Sequence, residues 1–207
     1  MSMDTTVAPA LHAAILAAGP ATRFGGPKQL VRLGGAPVVH QAAARAASVA
    51  GQSVTIVLGA HARAVAPALR QTAATVVVNR DWEEGIASSI RTAVRTAPPG
   101  CEGLLLVLCD QVAVTADDLR RLYVAWRRHP VLIAAALYDA APGLPALFPR
   151  WAFGDLLELR GEQDPRRVLR RNVDRLVRVP MAHAAVDLDT PEDLLLVESG
   201  LGEAGAP

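Results

Sequence analysis

Cysteine is scarce in this chain of 207 residues, which contains only Cys101 and Cys109. The two lie eight positions apart and do not form the C-x-x-C pairs of a zinc site or a disulfide framework. Cys109 ends an apolar run, which is typical of a buried small hydrophobic residue. The five histidines are scattered and also lack metal-ligand spacing.

Long apolar runs and an excess of one charge are also missing. The longest apolar runs, residues 104–109 and 131–138, are far shorter than the ~20 residues that span a bilayer. The formal net charge is +1, so no face is obliged to be basic and nucleic acid is a poor candidate partner. The first ten residues lack the features of a signal peptide. We therefore expect a cytoplasmic protein that binds neither membranes nor nucleic acids.

Short apolar runs alternate with longer amphipathic segments along most of the chain. This alternation predicts a single three-layer α/β domain over residues 1–207, with flexible tails at 1–9 and 201–207. Continuous apolar strands indicate a mostly parallel sheet that is buried on both faces. We predict strands at residues 13–17, 53–58, 74–78, 103–108, 131–137, 146–148 and 176–179. We predict helices at residues 37–50, 62–71, 85–96, 116–128, 151–159, 165–172 and 191–198.

Lysine is the rarest basic residue: the chain has 20 arginines but only one lysine, Lys28. It lies in a loop with Gly19, Gly25 and Gly26 that follows the first predicted strand, where ligands bind in open α/β sheets. Backbone N–H groups of such a loop can bind an anion, and Arg23 and Lys28 add two cations suited to a triphosphate. The spacing fits neither the P-loop nor the dinucleotide fingerprint.

Carboxylates follow two of the predicted strands. Asp110 ends the apolar run 104–109, where it could meet a metal ion on a ligand, because Mg²⁺ is usually held by one or two carboxylates and substrate phosphates. The alternative is that Asp110 caps a turn or the next helix. Asp187 and Asp189 lie on one side of an extended segment. Either could complete the metal site. We favour Asp187 as the second metal ligand, because Asp189 could instead stabilise the turn before the last helix.

Four stretches taken together resemble the molybdenum cofactor cytidylyltransferases, which belong to the molybdopterin nucleotidyltransferases and nucleotide-diphospho-sugar transferases. The resemblance implies a Rossmann-like, mixed and mostly parallel sheet. It also implies transfer of CMP from CTP to the molybdenum-loaded pterin cofactor. Leu-Ala-Ala-Gly, rather than Leu-Ala-Gly-Gly, is similar to the cytidine-using branch. The stretches are Leu16-Ala-Ala-Gly19 with Arg23-Phe-Gly25 and Lys28; Asn79 to Ser89; Leu108-Cys-Asp-Gln111; and Asp187-Leu-Asp-Thr-Pro-Glu-Asp193.

The resemblance also implies a set of site residues. Arg23, Lys28 and Asp110 would be catalytic, with Mg²⁺ on Asp110 and the two cations on the nucleotide phosphates. Gly85 and Ser89 would lie near the base and ribose. The remaining nucleotide-binding residues would be Leu16, Ala17, Ala18 and Gly19. The partners implied are CTP, molybdenum-molybdopterin or another phosphate acceptor, and a molybdoenzyme.

The part of the chain that would bind the acceptor departs from the family pattern. Val112 stands where proline is usual, Leu144 replaces what is often histidine, and residues 161–166 differ from a common Gly-Asp-x-Gly-Ala-Arg pattern. Two other functions therefore stay open. One is a nucleotidyltransferase that acts on a sugar phosphate or another small phosphate. The other is a non-catalytic nucleotide-binding chaperone for the molybdenum cofactor.

Overall fold

The computed structural model describes residues 10–203. Residues 1–9 and 204–207, for which flexible tails are predicted, lie outside them, while residues 201–203 continue the last helix. The elements alternate between strand and helix, as the sequence predicts. Within the described residues, no helix is long and apolar enough to cross a membrane.

Seven strands form the main sheet, in the order β5-β4-β1-β6-β8-β7-β9. Strands β1, β4, β5 and β6 run parallel, as do β7 and β9, whereas β8 is antiparallel to both of its neighbours. The sheet is therefore mixed and mostly parallel, which confirms the predicted fold class. The strands are β1 Leu11–Ala17, β2 Arg32–Leu33, β3 Ala36–Pro37, β4 Val54–Leu58, β5 Thr75–Val78, β6 Gly103–Leu108, β7 Ile133–Tyr138, β8 Ala141–Pro149 and β9 Leu176–Pro180.

Helices cover both faces of this sheet. They are α1 Val38–Ala50, α2 Ala62–Val65, α3 Ile86–Thr96, α4 Ala116–Arg128, α5 Phe153–Leu157, α6 Arg166–Arg171 and α7 Pro191–Glu203. One buried cluster lies between the sheet and α1 with α4, and the other lies between the sheet and α3 with α5. Alternate residues of β1 enter opposite clusters: Ile15 enters the first and Leu16 the second. This arrangement confirms the three layers.

Three predicted segments differ from the structure. Segment 62–71 is helical only at Ala62–Val65 and then tightens into a 3₁₀ turn at Ala66–Leu69, which contains Pro67, a residue without an N–H to donate. Segment 151–159 begins as a 3₁₀ turn, and only Phe153–Leu157 is α-helical.

The third difference is strand β8, which is longer than the predicted segment 146–148. Its first half contains Pro142, Gly143 and Pro145, which disfavour a strand when the sequence is considered alone. Pairing with β7 nevertheless keeps this half extended through a tight turn, in which Asp139 and Ala140 adopt positive φ angles of 50° and 59°. The small β2–β3 ribbon is also absent from the sequence prediction, because each of its strands has only two residues.

Candidate active site

The glycine-containing loop begins directly after β1. Ala21 and Gly25 adopt positive φ angles of 49° and 82°, and the loop ends in a 3₁₀ turn, Lys28–Leu30. Gln29 fixes the start of this loop, since its side-chain Nε2 donates to the carbonyl oxygens of Ala17 at 3.0 Å and Gly19 at 3.2 Å. Gln29 is 2 % exposed, and sequence reasoning missed it although it adjoins Lys28.

Lys28 lies between two carboxylates. Its Nζ is 2.6 Å from Asp110 Oδ2 and 2.8 Å from Asp189 Oδ1, and the side chain is 14 % exposed. Arg23 reaches the other oxygen of Asp189, with Nη2 to Oδ2 at 2.8 Å, but its side chain is 70 % exposed. The structure therefore brings Arg23, Lys28 and Asp110 together, and it adds Asp189 as the carboxylate that joins the two cations.

The backbone holds the two acidic segments side by side. The N–H of Leu188 donates to the carbonyl oxygen of Asp110 at 3.0 Å. Beneath this contact Gln111, which is 1 % exposed, donates from Nε2 to the carbonyl oxygens of Leu144 at 2.8 Å and Ala184 at 2.7 Å. Gln111 thus ties the end of β6 to β8 and to the turn before Asp187. The sequence alone gives no signal for this role.

Neither acidic residue serves as the cap of the helix that follows it. Thr115 and Asp118 form the capping box at the start of α4, as the sequence predicts, so Asp110 is free of that role. At the start of α7, Asp193 accepts from the N–H groups of Asp189 and Thr190. The carboxylate of Asp189 is therefore available to bind the two cations.

The electrostatics of the cluster follow from burial and close charges. Burial lowers the pKa of Lys28, but Asp110 and Asp189 more than offset this, so its pKa is raised above the ordinary value. The bond from Lys28 holds the pKa of Asp189 below its usual range. Burial raises the pKa of Asp187 to about 6, and the negative charges of Asp110 and Asp189 add to the increase. The charges of Lys28 and Arg166 only partly offset this increase in the pKa of Asp187.

Two carboxylates fit the way in which proteins hold Mg²⁺. Among the described residues, no group of three or more His, Cys, Asp or Glu is placed to hold a metal ion. Mg²⁺ needs fewer protein ligands than that, because substrate phosphates and water complete its coordination. Asp110 and Asp187 would supply hard oxygen ligands, and a divalent cation would offset the repulsion between Asp187 and the neighbouring carboxylates.

Two adjoining cavities flank this cluster and share Leu16, Gly19, Pro20 and Asp110 as a common wall. The first, of about 240 Å³, is the phosphate cavity; besides the shared residues its lining includes Ala17, Arg23, Lys28, Gln29 and Asp189. The second, of about 320 Å³, is the ring cavity; its lining includes Ala18, Trp82, Glu83, Gly85, Ile86, Ser89, Leu108 and Glu162. Every nucleotide-binding residue predicted from the sequence lines one of the two cavities, and Asp187 lines neither.

The wall of the ring cavity is held by hydrogen bonds at the start of α3. Asn79 Nδ2 donates to Ser88 Oγ at 2.7 Å and to Ser89 Oγ at 3.0 Å, and Ser88 Oγ donates to the carbonyl oxygen of Gly85 at 2.8 Å. Gly85 has a φ of +114°. A Cβ at this position would lie 2.6 Å from the carbonyl oxygen of Gly161, so glycine is required on both counts.

Arg166 also faces the carboxylate cluster. Its guanidinium lies 5.3 Å from the centre of the Tyr138 ring, and Nη2 donates to the Tyr138 hydroxyl at 3.1 Å. This bond raises the pKa of Arg166, and the charge of Asp187 contributes to the increase. The neighbouring Arg167 is exposed. The sequence does not distinguish these two arginines, because only the fold shows that α6 turns Arg166 towards Tyr138.

Solved structures and a curated relative resemble this chain over much of its length. Rv0371c from Mycobacterium tuberculosis superposes with a TM-score of 0.80 at 26 % identity, covering 93 % of this chain and 99 % of that one. A complex of Rv0371c with manganese superposes with a TM-score of 0.74, also at 26 % identity, covering 91 % and 98 %. The nicotine blue oxidoreductase of Paenarthrobacter nicotinovorans is 34 % identical over 139 residues, which are 67 % of each chain.

A family match covers most of the structured chain. Residues 13–177 match the MobA-like NTP transferase domain. The matched segment contains the glycine-containing loop, Asp110 and every residue that lines the ring cavity. The sheet order and the flanking helices are those of the nucleotide-diphospho-sugar transferase fold. The chain belongs to the family of MobA-like NTP transferase domains.

Proposed function

We propose that this protein is a Mg²⁺-dependent nucleotidyltransferase that transfers CMP from CTP to the terminal phosphate of molybdenum-molybdopterin and releases pyrophosphate. The observation that carries the proposal is the position of Lys28. This single lysine lies on a glycine-containing loop and lines the phosphate cavity. It contacts Asp189 and also Asp110, which belongs to the wall that the two cavities share. Membership of the MobA-like NTP transferase family supports the reaction class.

The phosphate cavity fits the triphosphate of the nucleotide. Backbone N–H groups of the glycine-containing loop would bind phosphate oxygens, and Arg23 and Lys28 would offset the negative charge that develops on the leaving pyrophosphate. Arg23 is well placed to adjust to a ligand, because its side chain is 70 % exposed and, among the described residues, pairs with Asp189 alone. Lys28 contacts both Asp110 and Asp189, so its ammonium group would be held in one position beside the phosphates.

Asp110 and Asp187 are the proposed ligands of Mg²⁺. When bound, the ion would neutralise phosphate oxygens and help to orient the reacting groups. The manganese complex of Rv0371c, which is 26 % identical, supports a divalent cation in this family. Asp189 is assigned instead to the two cations, because its carboxylate already contacts both of them.

The proposed reaction needs no nucleophilic side chain. The attacking group is a phosphate oxygen of the acceptor, which is already an anion, and it would displace pyrophosphate in line at the α-phosphorus of CTP. Catalysis would then consist of positioning and charge neutralisation. This agrees with a site that is built from Arg, Lys and Asp side chains and a glycine-containing loop. A molybdoenzyme would then receive the product in the cytoplasm.

A single assay separates this proposal from the alternatives. Purified protein is mixed with Mg²⁺ and each of the four NTPs, with and without molybdenum-molybdopterin, and pyrophosphate release is measured. The proposal predicts release that requires both CTP and the pterin. Release with a sugar phosphate instead would favour the first alternative, and nucleotide binding without release would favour the chaperone.

The name of the 34 % identical relative raises a further candidate, an oxidoreductase. The same samples can be given a reduced nicotinamide cofactor and a redox dye as the electron acceptor, without NTP. NTP-independent oxidation of that cofactor, with no pyrophosphate release under any condition, would contradict the transferase proposal.

A further inference from the structure

The ring cavity has one acidic wall. Most of its lining is apolar or small, including Leu16, Ile86 and Leu108, and Trp82 adds an aromatic surface. Glu162 supplies a carboxylate at the side formed by the 158–164 loop. Among the described residues, no hydrogen bond or ion pair engages that carboxylate. It is therefore free to accept a hydrogen bond from a ligand.

The loop that carries Glu162 is fixed to the start of α3 and to the turn before it. The carbonyl oxygen of Gly161 accepts from the N–H of Ala87 at 3.1 Å, and the N–H of Gly161 donates to Glu84 Oε1 at 3.2 Å. Glu84 also forms an ion pair with Arg91, which is 8 % exposed and donates to the carbonyl oxygen of Leu159 at 2.8 Å. The pairing with Arg91, together with the bond from Gly161, lowers the pKa of Glu84 to about 2.

This network places the carboxylate of Glu162 against the cavity wall. Glu162 Oε1 lies 2.7 Å from the point that a Cβ on Gly85 would occupy. The absence of a side chain at Gly85 therefore creates the space in which the carboxylate lies beside the cavity. Glu83 and Asp110 are the other acidic residues of the lining. Asp110 is already paired with Lys28, and the hydrogen bond from Gly161 fixes the loop that carries Glu162 rather than Glu83.

The nucleotide base is the part of CTP that would reach this cavity. If the triphosphate lies in the phosphate cavity, as the proposed function requires, the shared wall directs the base towards the apolar lining and Trp82. An ionised carboxylate can only accept hydrogen bonds. Cytosine presents an N4 amino donor, whereas uracil presents the O4 acceptor at the same position, which a carboxylate repels.

We propose that Glu162 is a specificity-determining residue that selects cytosine over uracil by accepting a hydrogen bond from the N4 amino group. This inference rests on the proposed function only in requiring that the chain binds a nucleotide through the phosphate cavity. It assigns base selection to Glu162, which lies in the part of the chain that the family resemblance would give to the acceptor.

The test compares CTP and UTP binding to the full chain by isothermal titration calorimetry in the presence of Mg²⁺. The wild type is expected to bind CTP at least ~10-fold more tightly than UTP, which corresponds to about 1.4 kcal/mol. Glu162→Gln, whose amide can donate to O4, is expected to reduce this ratio below ~3-fold by weakening CTP binding and strengthening UTP binding. Glu158→Gln is the matched control, because Glu158 is exposed on the same loop, as Glu162 is, but does not line the cavity.

Inorganic triphosphate serves as a probe of the phosphate cavity alone. Its affinity is expected to be the same in the wild type and in Glu162→Gln, which shows that the variant is folded. The assignment would be overturned if the wild type bound CTP and UTP with equal affinity. It would also be overturned if the CTP-to-UTP affinity ratio were unchanged in Glu162→Gln, or were lost only in Glu83→Gln. These results are independent of turnover: the ratio can behave as expected in a protein that releases no pyrophosphate, and release can occur without base selection.

Discussion

Replacing Lys28 by arginine keeps the charge but changes its shape. Lys28 Nζ fits between Asp110 and Asp189 at 2.6 and 2.8 Å, in a place where the side chain is only 14 % exposed. A guanidinium is a planar group with five N–H donors, whereas an ammonium is a compact charge. Arginine at this position must therefore displace the carboxylates or point its charge elsewhere.

The geometry sets the size of the expected effect. Accommodating the guanidinium requires a shift of roughly 1 Å in the carboxylates, and a misplacement of that size in an active site costs about 100-fold in rate. We therefore expect Lys28→Arg to reduce turnover by between 10- and 100-fold, which is about 1.4–2.7 kcal/mol in activation free energy. The free energy of unfolding should change by less than ~1 kcal/mol, because a cation still lies beside the carboxylates.

The assay is pyrophosphate release with CTP, Mg²⁺ and molybdenum-molybdopterin, combined with urea unfolding of each variant. Arg63→Lys, the reverse exchange at an exposed position in α2, should match the wild type in both measurements. Lys28→Met, which leaves the partly buried Asp110 without its cation and Asp189 with Arg23 alone, should lower the free energy of unfolding by about 1–3 kcal/mol. Turnover of Lys28→Arg at the wild-type rate would refute the role given to the lysine.

Two further predictions concern Gly85 in the ring cavity and the start of helix α4. Gly85→Ala should lower the free energy of unfolding by about 2–3 kcal/mol, because the φ of +114° is strained for alanine and its Cβ would lie 2.6 Å from the Gly161 carbonyl oxygen. Asp118→Asn should be destabilising at neutral pH but less so in acid. Burial raises the pKa of Asp118. The Arg121 guanidinium and the N-cap bonds of α4 lower it by more than burial raises it, so the pKa lies below its ordinary value. A lowered pKa gives stability that is present above about pH 4 and is lost as the pH falls further.

Both predictions are tested by urea unfolding. Gly154→Ala is the control for Gly85→Ala, since Gly154 lies in α5 and a Cβ there meets no atom within 4 Å. Equal effects of the two glycine substitutions would contradict the steric argument. For Asp118→Asn, the difference from the wild type should be about 1–2 kcal/mol at neutral pH and should shrink below about pH 4. A difference that is independent of pH would show that the carboxylate charge is not what stabilises this helix start.

Much of the fold follows from local sequence patterns. Buried strands such as β1 and β6 are continuous apolar runs, and the capping box at Thr115 marks the start of α4. Strand β8 shows the limit of such reasoning, because Pro142 and Gly143 disfavour a strand locally and only pairing with β7 keeps the segment extended. The β2–β3 ribbon was not predicted for a different reason: each of its strands has only two residues, too few for a strand pattern to be recognised.

The candidate site was predictable to the extent that its residues lie at strand ends. Lys28 and Asp110 follow parallel neighbours, β1 and β6, so their proximity can be inferred from the chain. The contact of Asp189 with Lys28 cannot be inferred from the chain, because the two residues are 161 positions apart and the contact depends on the hydrogen bond from Leu188 to Asp110. The same holds for Glu162, which reaches the ring cavity only because the 158–164 loop packs against Gly85.

Transfer of labelled CMP tests the central claim most directly. CTP that is radiolabelled at its α-phosphorus is incubated with molybdenum-molybdopterin, Mg²⁺ and either the wild type or Asp110→Asn. Asp110→Gln is avoided, because its longer side chain would crowd Lys28. We predict that the wild type attaches the label covalently to the pterin, and that Asp110→Asn remains folded but attaches none. Undiminished labelling by Asp110→Asn, or no labelling by the wild type when CTP binding is intact, would contradict the account.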